Sequence, residues 1–356
     1  MPLTVQENIR LAPYTTLRLG GPARYLASCS TVDDVAAAIE FAATAARPLF
    51  VLGGGSNVVV ADRGFDGLVL LPCLKGIAVE EDGDHVVVTA AAGEVWDDLV
   101  RFAVDRGYGG IECLSGIPGS VGATPIQNVG AYGQEVSETI VAVEAVDRRT
   151  RRRVEFSHDE CRFGYRRSRF KEEDRDRYVI TGVRFRFPQN ARPSIRYPEV
   201  KEAIARSVAF SRLPDGTPAL SAVRDAVLSI RRAKSMVVDP ADPHSRSAGS
   251  FFVNPVLPEA EFDRMCAAVR LNGFPSEVPS FPSDGGRKIP AAWLVEHAGF
   301  SRGFRRGNVG ISAHHALALV NYGGTTSELL ALARDVQAAV RRYSGVSLVL
   351  EPVLLE

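Results

Sequence analysis

Apolar residues recur at helical spacing through residues 33–46, DDVAAAIEFAATAA, behind an aspartate able to cap and ahead of Pro48, which ends the helix. Residues 49–52 are a short apolar run that predicts a buried strand. It leads straight into Gly53-Gly54-Gly55-Ser56-Asn57, after which Val58, Val59 and Val60 resume strand character. HVVVTAAAG then predicts a strand and EVWDDLVRFAVDRG an amphipathic helix stopped at Gly107. Residues 115–133, SGIPGSVGATPIQNVGAYG, hold too much glycine and proline for regular structure, and an irregular stretch of that length is a candidate functional loop. VAVEAVD, RRRVEFS and YVITGVRFRF predict strands of a second region. Past residue 188 come helical patterns at 197–209 and 218–233 and a loop rich in Pro, Asp and Ser at 237–248. A third region follows: GSFFVNP, a helix at 258–270, the flexible-looking LNGFPSEVPSFPSDGG, a helix around AAWLVEHA, the long helix TSELLALARDVQAAVRRY, and SLVLEPVLLE as a closing strand.

Composition narrows the function classes. The 356 residues carry 42 basic and 42 acidic side chains, so no global charge draws the chain to nucleic acid or an anionic membrane. The 46% hydrophobic and 24% charged fractions are those of a globular protein. Five scattered cysteines with no C-x-x-C pair argue against disulfides and structural zinc. Neither a basic-then-apolar leader nor a run approaching about 18 apolar residues occurs, so a cytoplasmic location is expected.

The Gly53 loop invites the dinucleotide fingerprint G-x-G-x-x-G, but position 58 is Val58 and a strand, not a helix, follows. The phosphate loop of nucleotide triphosphatases fails as well, for want of a following Lys-Ser/Thr. What survives is backbone chemistry: glycines let main-chain N–H groups approach an anion, with Ser56 and Asn57 as further donors, and a plain tight turn is the competing explanation. Gly116, Gly119 and Gly122 recur around Ile117-Pro118, with Gln127, Asn128 and Tyr132 beside them as amide and phenol donors. Two such loops suit a long, multi-phosphate cofactor; a structural Ω-loop is the alternative.

Residues 148–186 hold seven more basic than acidic side chains. Most of these arginines, Arg151 to Arg153 among them, read as a solvated hairpin face, whereas Arg166 sits in Phe163-Gly164-Tyr165, the setting of a carboxylate- or phosphate-binding fork. Ser250, between Gly249 and two phenylalanines, lacks the G-x-S-x-G elbow of a hydrolase. Glu351 falls in an apolar strand pattern, where a carboxylate is either raised in pKa or turned to water. His314 and His315 are adjacent, so in a strand they diverge and cannot share a metal; no metal site is expected.

Taken together and in order, VLGGGSN, GIPGSVGATPIQNVGAYG, FGYRRSRFK, AGSFFVNP, KIPAAWLVEHAG and the terminal LEP resemble the UDP-N-acetylenolpyruvoylglucosamine reductase (UDP-N-acetylmuramate dehydrogenase) family over roughly residues 8–352. The resemblance implies an α+β architecture: an FAD-binding fold of the vanillyl-alcohol-oxidase (PCMH) type in two α+β subdomains, plus a C-terminal α+β substrate-binding domain. The implied boundaries are 1–75 for the first subdomain, with 346–356 joining it, 76–235 for the second, the PCMH-type region spanning about 15–188, and 236–345 for the substrate domain. FAD is the implied cofactor and NADPH the hydride donor. The substrate is UDP-N-acetylglucosamine enolpyruvate, reduced in bacterial peptidoglycan synthesis by hydride delivery from flavin N5 to C3 and a proton to C2. No nucleic-acid, membrane or obligate protein partner is implied.

Carried over to this chain, Gly53, Gly54, Gly55, Ser56, Asn57, Ile117, Pro118, Gly119, Ala123, Thr124, Ile126 and Gly130 hold the cofactor. Arg166 stabilises developing negative charge, Glu351 assists it, and Ser250 supplies the proton. Tyr132, Tyr165, Tyr197, Lys234, Asn254 and His315 contact substrate. Tyr197, from IRYPEV, stands for a tyrosine that closes over the uridine diphosphate in one subgroup, and the tail LEPVLLE departs from the common LEPEV. An FAD-linked alcohol oxidase of the same fold and a non-catalytic UDP-sugar binding module are the alternatives. Oxygen consumption with alcohols distinguishes the first; tight UDP-sugar binding without flavin distinguishes the second.

Overall fold

A computed structural model describes residues 3–206, 219–273 and 277–356. The chain divides into two compact units, each drawn from separated segments: Met1–Ile9, Ala23–Gly54 and Asp66–Val237 make the first, and Arg10–Pro22, Gly55–Phe65 and Val238–Glu356 the second.

Among its described residues the first unit holds two larger sheets and the short antiparallel pair Gly130–Ala131 with Gln134–Glu135. One has the order Val5–Arg10, Pro22–Cys29, Phe65–Pro72, Leu49–Val51. Its last two strands run parallel, Leu49 opposite Leu68 and Val51 opposite Leu70. The helix Val32–Thr44 buries Val35, Ala38, Ile39 and Ala42, its i, i+3, i+4, i+7 stripe. Its cap is Thr31 in a capping box with Asp34, just ahead of Asp33, the aspartate cap expected from sequence. The second sheet is antiparallel, in the order Arg153–Ser157, Ile140–Asp147, Tyr178–Pro188, His85–Ala91, Ile77–Asp82. Its core joins Val86, Val88 and Phe185 to Trp96 and Leu99 of the helix Trp96–Asp105. Gly107 at φ 73° ends that helix, as expected. The strands Val5–Arg10, Pro22–Cys29, Phe65–Pro72 and Ile77–Asp82 escape the sequence reading, although FDGLVLLP is a plain apolar run.

The helices expected at 197–209 and 218–233 are Pro198–Arg206 and Leu220–Ala233; residues 207–209 and 218 lie outside the described residues.

The second unit packs Phe251, Phe252, Leu294, Leu329, Leu332 and Val336 into one core beneath the helix Thr326–Ser344. Two departures from the sequence pattern matter. Of the flexible-looking LNGFPSEVPSFPSDGG, residues 274–276 lie outside the described residues, and the rest is not wholly irregular: Phe281–Ser283 and Gly286–Lys288 form a hairpin across the turn Asp284-Gly285, with Gly285 at φ 86°. The closing strand is only Val353–Leu355, parallel to Val58–Val60. Glu351 therefore precedes the strand instead of lying in it. Pro352, which has no N–H to donate, accounts for the interruption. His314 and His315 likewise sit in the turn between Val309–Ile311 and Leu319–Asn321, not in a strand.

Candidate active site

In the first unit the two glycine-bearing loops are pressed against each other. A Cβ placed on Gly54 would lie 2.6 Å from the Gly119 Cα, and one on Gly53 would lie 2.7 Å from the Ser120 Oγ. Glycine is thus demanded by loop-on-loop packing as well as by access to the backbone, a requirement the motif did not reveal. Among the described residues, the N–H groups of Gly53, Gly54 and Gly119 enter no backbone hydrogen bond. Unspent donors at glycines on two apposed loops fit the pyrophosphate of a dinucleotide.

The rest of the 115–133 loop is tied down. Val121 N donates to Glu94 O at 2.9 Å, Gly122 N to Ala92 O at 2.9 Å, and Thr124 Oγ1 to Val121 O at 2.8 Å. Ile117 packs against the core of this unit, with Pro118 and Ala123 half-buried beside it. Ile126 is an exposed apolar side chain whose carbonyl accepts the Ser168 hydroxyl. Carboxylates fix both loop ends. Glu112, 1% exposed, accepts from Gly110 N at 2.7 Å and Gln134 Nε2 at 2.8 Å, while Asp97 accepts from Gly116 N and, through both oxygens, from Arg224 at 2.6 and 2.8 Å. Burial pushes the Asp97 carboxyl up, but the Arg224 and Gly116 hydrogen bonds outweigh it and hold the group below its ordinary value.

Arg166 stands at φ 55° in a turn closed by Gly164 and Arg167, and its guanidinium is half-buried. Nη2 donates to Gly130 O at 2.7 Å and Nη1 to Asn128 O at 3.3 Å, with the Tyr165 ring 5.4 Å from the guanidinium carbon. Left-handed backbone recurs at Asn128, φ 47°, and Tyr132, φ 50°. Such non-glycine strain gathers where a site over-determines its geometry. The basic excess around Arg166 is largely answered locally, as by Arg169 to Asp174, Arg177 to Asp147 and Arg167 to Glu172.

Tyr132, Tyr197 and Lys234 come together in the first unit. The two tyrosine rings meet edge-on at 5.6 Å, and Lys234 Nζ stands 6.0 Å from the Tyr132 ring while pairing with Glu199 at 2.7 Å. Burial pushes the Tyr132 phenol up to about 12, against the pull of Arg231. Tyr197 is 46% exposed and opens the helix Pro198–Arg206. Arg231 was missed from sequence. It is 7% exposed, donates Nη2 to Met236 O at 2.8 Å, and leaves Nε without a partner among the described residues. A basic residue on the buried stripe of Leu220–Ala233 was the available signal.

In the second unit, Phe251 N donates to Leu317 O at 2.8 Å, Val253 N to Val349 O at 3.0 Å, and Glu351 N to Phe251 O at 3.0 Å. These bonds place the Ser250 and Glu351 segments side by side, with Gly249 at φ 70° turning the chain ahead of the half-buried Ser250. Asn57 Nδ2 donates to Glu351 O at 3.3 Å, so the end of the first glycine loop meets the same ledge, and Gly55 O accepts from Thr16 N. Ser56 is half-buried. Asn254 accepts from Ala291 N at 2.8 Å and so caps the helix Ala291–His297, and His315 Nδ1 accepts from Leu317 N at 3.2 Å. Arg166 belongs to one unit, and Ser250 and Glu351 to the other.

Apposed backbone-donor loops on an α+β scaffold suit a dinucleotide, and the family model described as the FAD binding domain, which matches residues 23–154, marks a flavin-dinucleotide protein. The model of the UDP-N-acetylenolpyruvoylglucosamine reductase C-terminal domain matches residues 240–355. The chain is 50% identical to the UDP-N-acetylenolpyruvoylglucosamine reductase of Thermobifida fusca over all of this chain and 99% of that protein. To the protein of the same name from Streptomyces coelicolor it is 48% identical, over 99% of this chain and 90% of the other. The crystal structure of the UDP-N-acetylenolpyruvylglucosamine reductase of Thermus caldophilus superposes with a TM-score of 0.65 at 25% identity, covering 99% of this chain and all of that one. The chain belongs to the UDP-N-acetylenolpyruvoylglucosamine reductase family.

Proposed function

We infer that this protein is an FAD-dependent, NADPH-using reductase that converts UDP-N-acetylglucosamine enolpyruvate to UDP-N-acetylmuramate in peptidoglycan synthesis. The observation that carries this is the full-length likeness to curated reductases, at 50% identity over the whole chain. Gly53, Gly54 and Gly119 hold the pyrophosphate of the dinucleotide on their unspent N–H groups. When bound, FAD supplies a two-electron carrier between NADPH and the enol ether.

The net reaction sets a hydride on C3 of the enolpyruvyl group and a proton on C2, converting the carbon–carbon double bond to a single bond. Negative charge develops at C2 and in the adjoining carboxylate. Arg166 meets it as a cation already oriented by two carbonyl oxygens, so no reorganisation is needed as charge builds. Ser250 gives its hydroxyl proton to C2. Serine is a weak acid, but C2 is then a far stronger base. Glu351, whose backbone is bonded to Phe251, assists by hydrogen bonding to the charged intermediate. Tyr132, Tyr165, Tyr197, Lys234, Asn254 and His315 serve the sugar nucleotide, with Lys234 a point charge for its diphosphate. The substrate is a soluble nucleotide sugar, and among the described residues no helix is long and apolar enough to cross a membrane. The cytoplasm is the compartment that goes with this role.

Anaerobic absorption spectroscopy of the purified holoenzyme tests the assignment. The flavin bands bleach with NADPH and return on addition of the enolpyruvyl substrate; bands that stay bleached overturn the assignment. Ser250→Ala still bleaches, but its recovery slows by about 10²–10⁴-fold, the usual worth of a general acid. Recovery at the wild-type rate removes Ser250 from proton delivery.

A further inference from the structure

Asn128 lies outside every helix and strand of the fold, yet it is only 1% exposed. Its φ of 47° is one that asparagine adopts more readily than most residues, because a short polar side chain bonds locally. Here that side chain is fully engaged. Nδ2 donates to Glu135 Oε2 at 2.7 Å and to Gly164 O at 3.0 Å, and Oδ1 accepts from Ser137 N at 3.1 Å. The Asn128 carbonyl meanwhile accepts from Arg166 Nη1 at 3.3 Å.

One residue therefore grips Arg166 at both ends. Its carbonyl holds the guanidinium, and its amide holds Gly164, the base of the turn from which Arg166 projects. That turn is itself closed by reciprocal bonds, Gly164 N to Arg167 O at 3.1 Å and Arg167 N to Gly164 O at 3.0 Å. Gly130 completes the seat: a Cβ there would come within 3.1 Å of Arg166 Nη1. An arginine side chain free in solution samples many rotamers. Freezing it beforehand lets its charge act at full strength when the substrate charge appears.

We propose that Asn128, oriented by Glu135, is the positioning residue for Arg166. This rests on Arg166 being the group that stabilises charge on the substrate. Asn128 touches neither substrate nor cofactor in this scheme, and its effect is confined to the half-reaction in which Arg166 acts.

The test measures the two half-reactions of the holoenzyme separately by stopped-flow absorbance. Asn128→Ala keeps its FAD and is reduced by NADPH within about twofold of the wild-type rate, while reoxidation by the enolpyruvyl substrate slows by up to about 10²-fold, the penalty for roughly 1 Å of misplacement. Equal slowing of both half-reactions means a general structural role and overturns the proposal. Arg166→Lys is run in parallel. If it reoxidises at the wild-type rate, the role of Arg166 itself falls; if it is slow while Asn128→Ala is normal, only the positioning role falls. The double variant Asn128→Ala/Arg166→Lys is no slower than Arg166→Lys alone if the two act as one unit; additive losses overturn the link. A second route does not depend on Asn128→Ala folding. Asn128→Asp sets a carboxylate against Glu135 and the Gly164 carbonyl and slows reoxidation, and adding Glu135→Gln returns a donor to the pair and recovers part of the rate. No recovery overturns the proposal.

Discussion

Arg166 and the Ser250–Glu351 ledge are held by opposite means. Around Arg166 almost every restraint is polar: two carbonyls on the guanidinium, an amide clamp from Asn128, and left-handed backbone at three positions. Ser250 and Glu351 instead ride on backbone pairing whose neighbours, Phe251 and Phe252, are buried in an aliphatic and aromatic core. A long cation must have its direction fixed by acceptors, since packing alone leaves the guanidinium free to rotate. A hydroxyl on a short side chain goes wherever its backbone goes, so an anchored main chain suffices. The contrast predicts that the ledge fails through stability and the arginine seat through rate.

The largest effect should come from the ledge. Phe251→Ala removes a fully buried ring and should cost about 3–5 kcal/mol in denaturant unfolding. A loss under about 1 kcal/mol would mean that the core does not hold the ledge. Gly54→Val, which drives a side chain into Gly119, should cost about 1–3 kcal/mol and release FAD on gel filtration, and flavin retained at full stoichiometry would show that the loops separate without harm. Arg166→Lys should cost only about 1 kcal/mol of stability, because the hydrogen bonds lost are few, whereas its reoxidation rate should fall by about 10²–10³-fold. A variant that melts early but turns over normally reverses the contrast.

The smallest effect concerns a polar clamp inside the apolar unit. Asp62 accepts from Thr326 N at 2.8 Å, Ser327 N at 2.8 Å and Ser327 Oγ at 2.6 Å at the start of the helix Thr326–Ser344. Burial raises its carboxyl, but these hydrogen bonds outweigh that and leave it below the ordinary value. A lowered folded-state pKa stabilises above the unfolded value of about 3.9 and loses that contribution as pH falls through the folded one. Asp62→Ala should therefore cost about 1 kcal/mol at pH 7, and the gap from wild type should narrow as pH falls below the unfolded value of about 3.9. A gap independent of pH would show that the charge plays no part.

Local signals were legible in the sequence. The Val32–Thr44 and Thr326–Ser344 helices and the strand, glycine loop and strand around Gly53 followed from period and turn chemistry, whereas the stretch 115–133, expected to be irregular, contains a 3-10 turn at Val121–Ala123 and the short strand Gly130–Ala131. What stayed hidden is nonlocal. The acceptors for Arg166 are main-chain carbonyls, which any residue supplies, so no side-chain pattern marks them. Asn128 looks from sequence like one more amide donor in a polar loop, and its burial is set by Glu135, Ser137 and Gly164 arriving from elsewhere. The closing segment misled because its apolar composition favours a strand while Pro352 forbids one across Glu351.

The parallel pairing of Val58–Val60 with Val353–Leu355 also bears on how the molecule is made. During translation Val58–Val60 emerges long before the strand it pairs with. The second unit must remain open until residue 353 has been added, while the two longer segments of the first are already available to fold. Contacts of such long span are slow to close. A nascent chain released before residue 353 lacks this pairing, so the segment that follows Glu351 is secured only once residues 353–355 have been added. Expression as separate halves would have to respect the same order: a cut at residue 237 strands residues 55–65 on the wrong fragment.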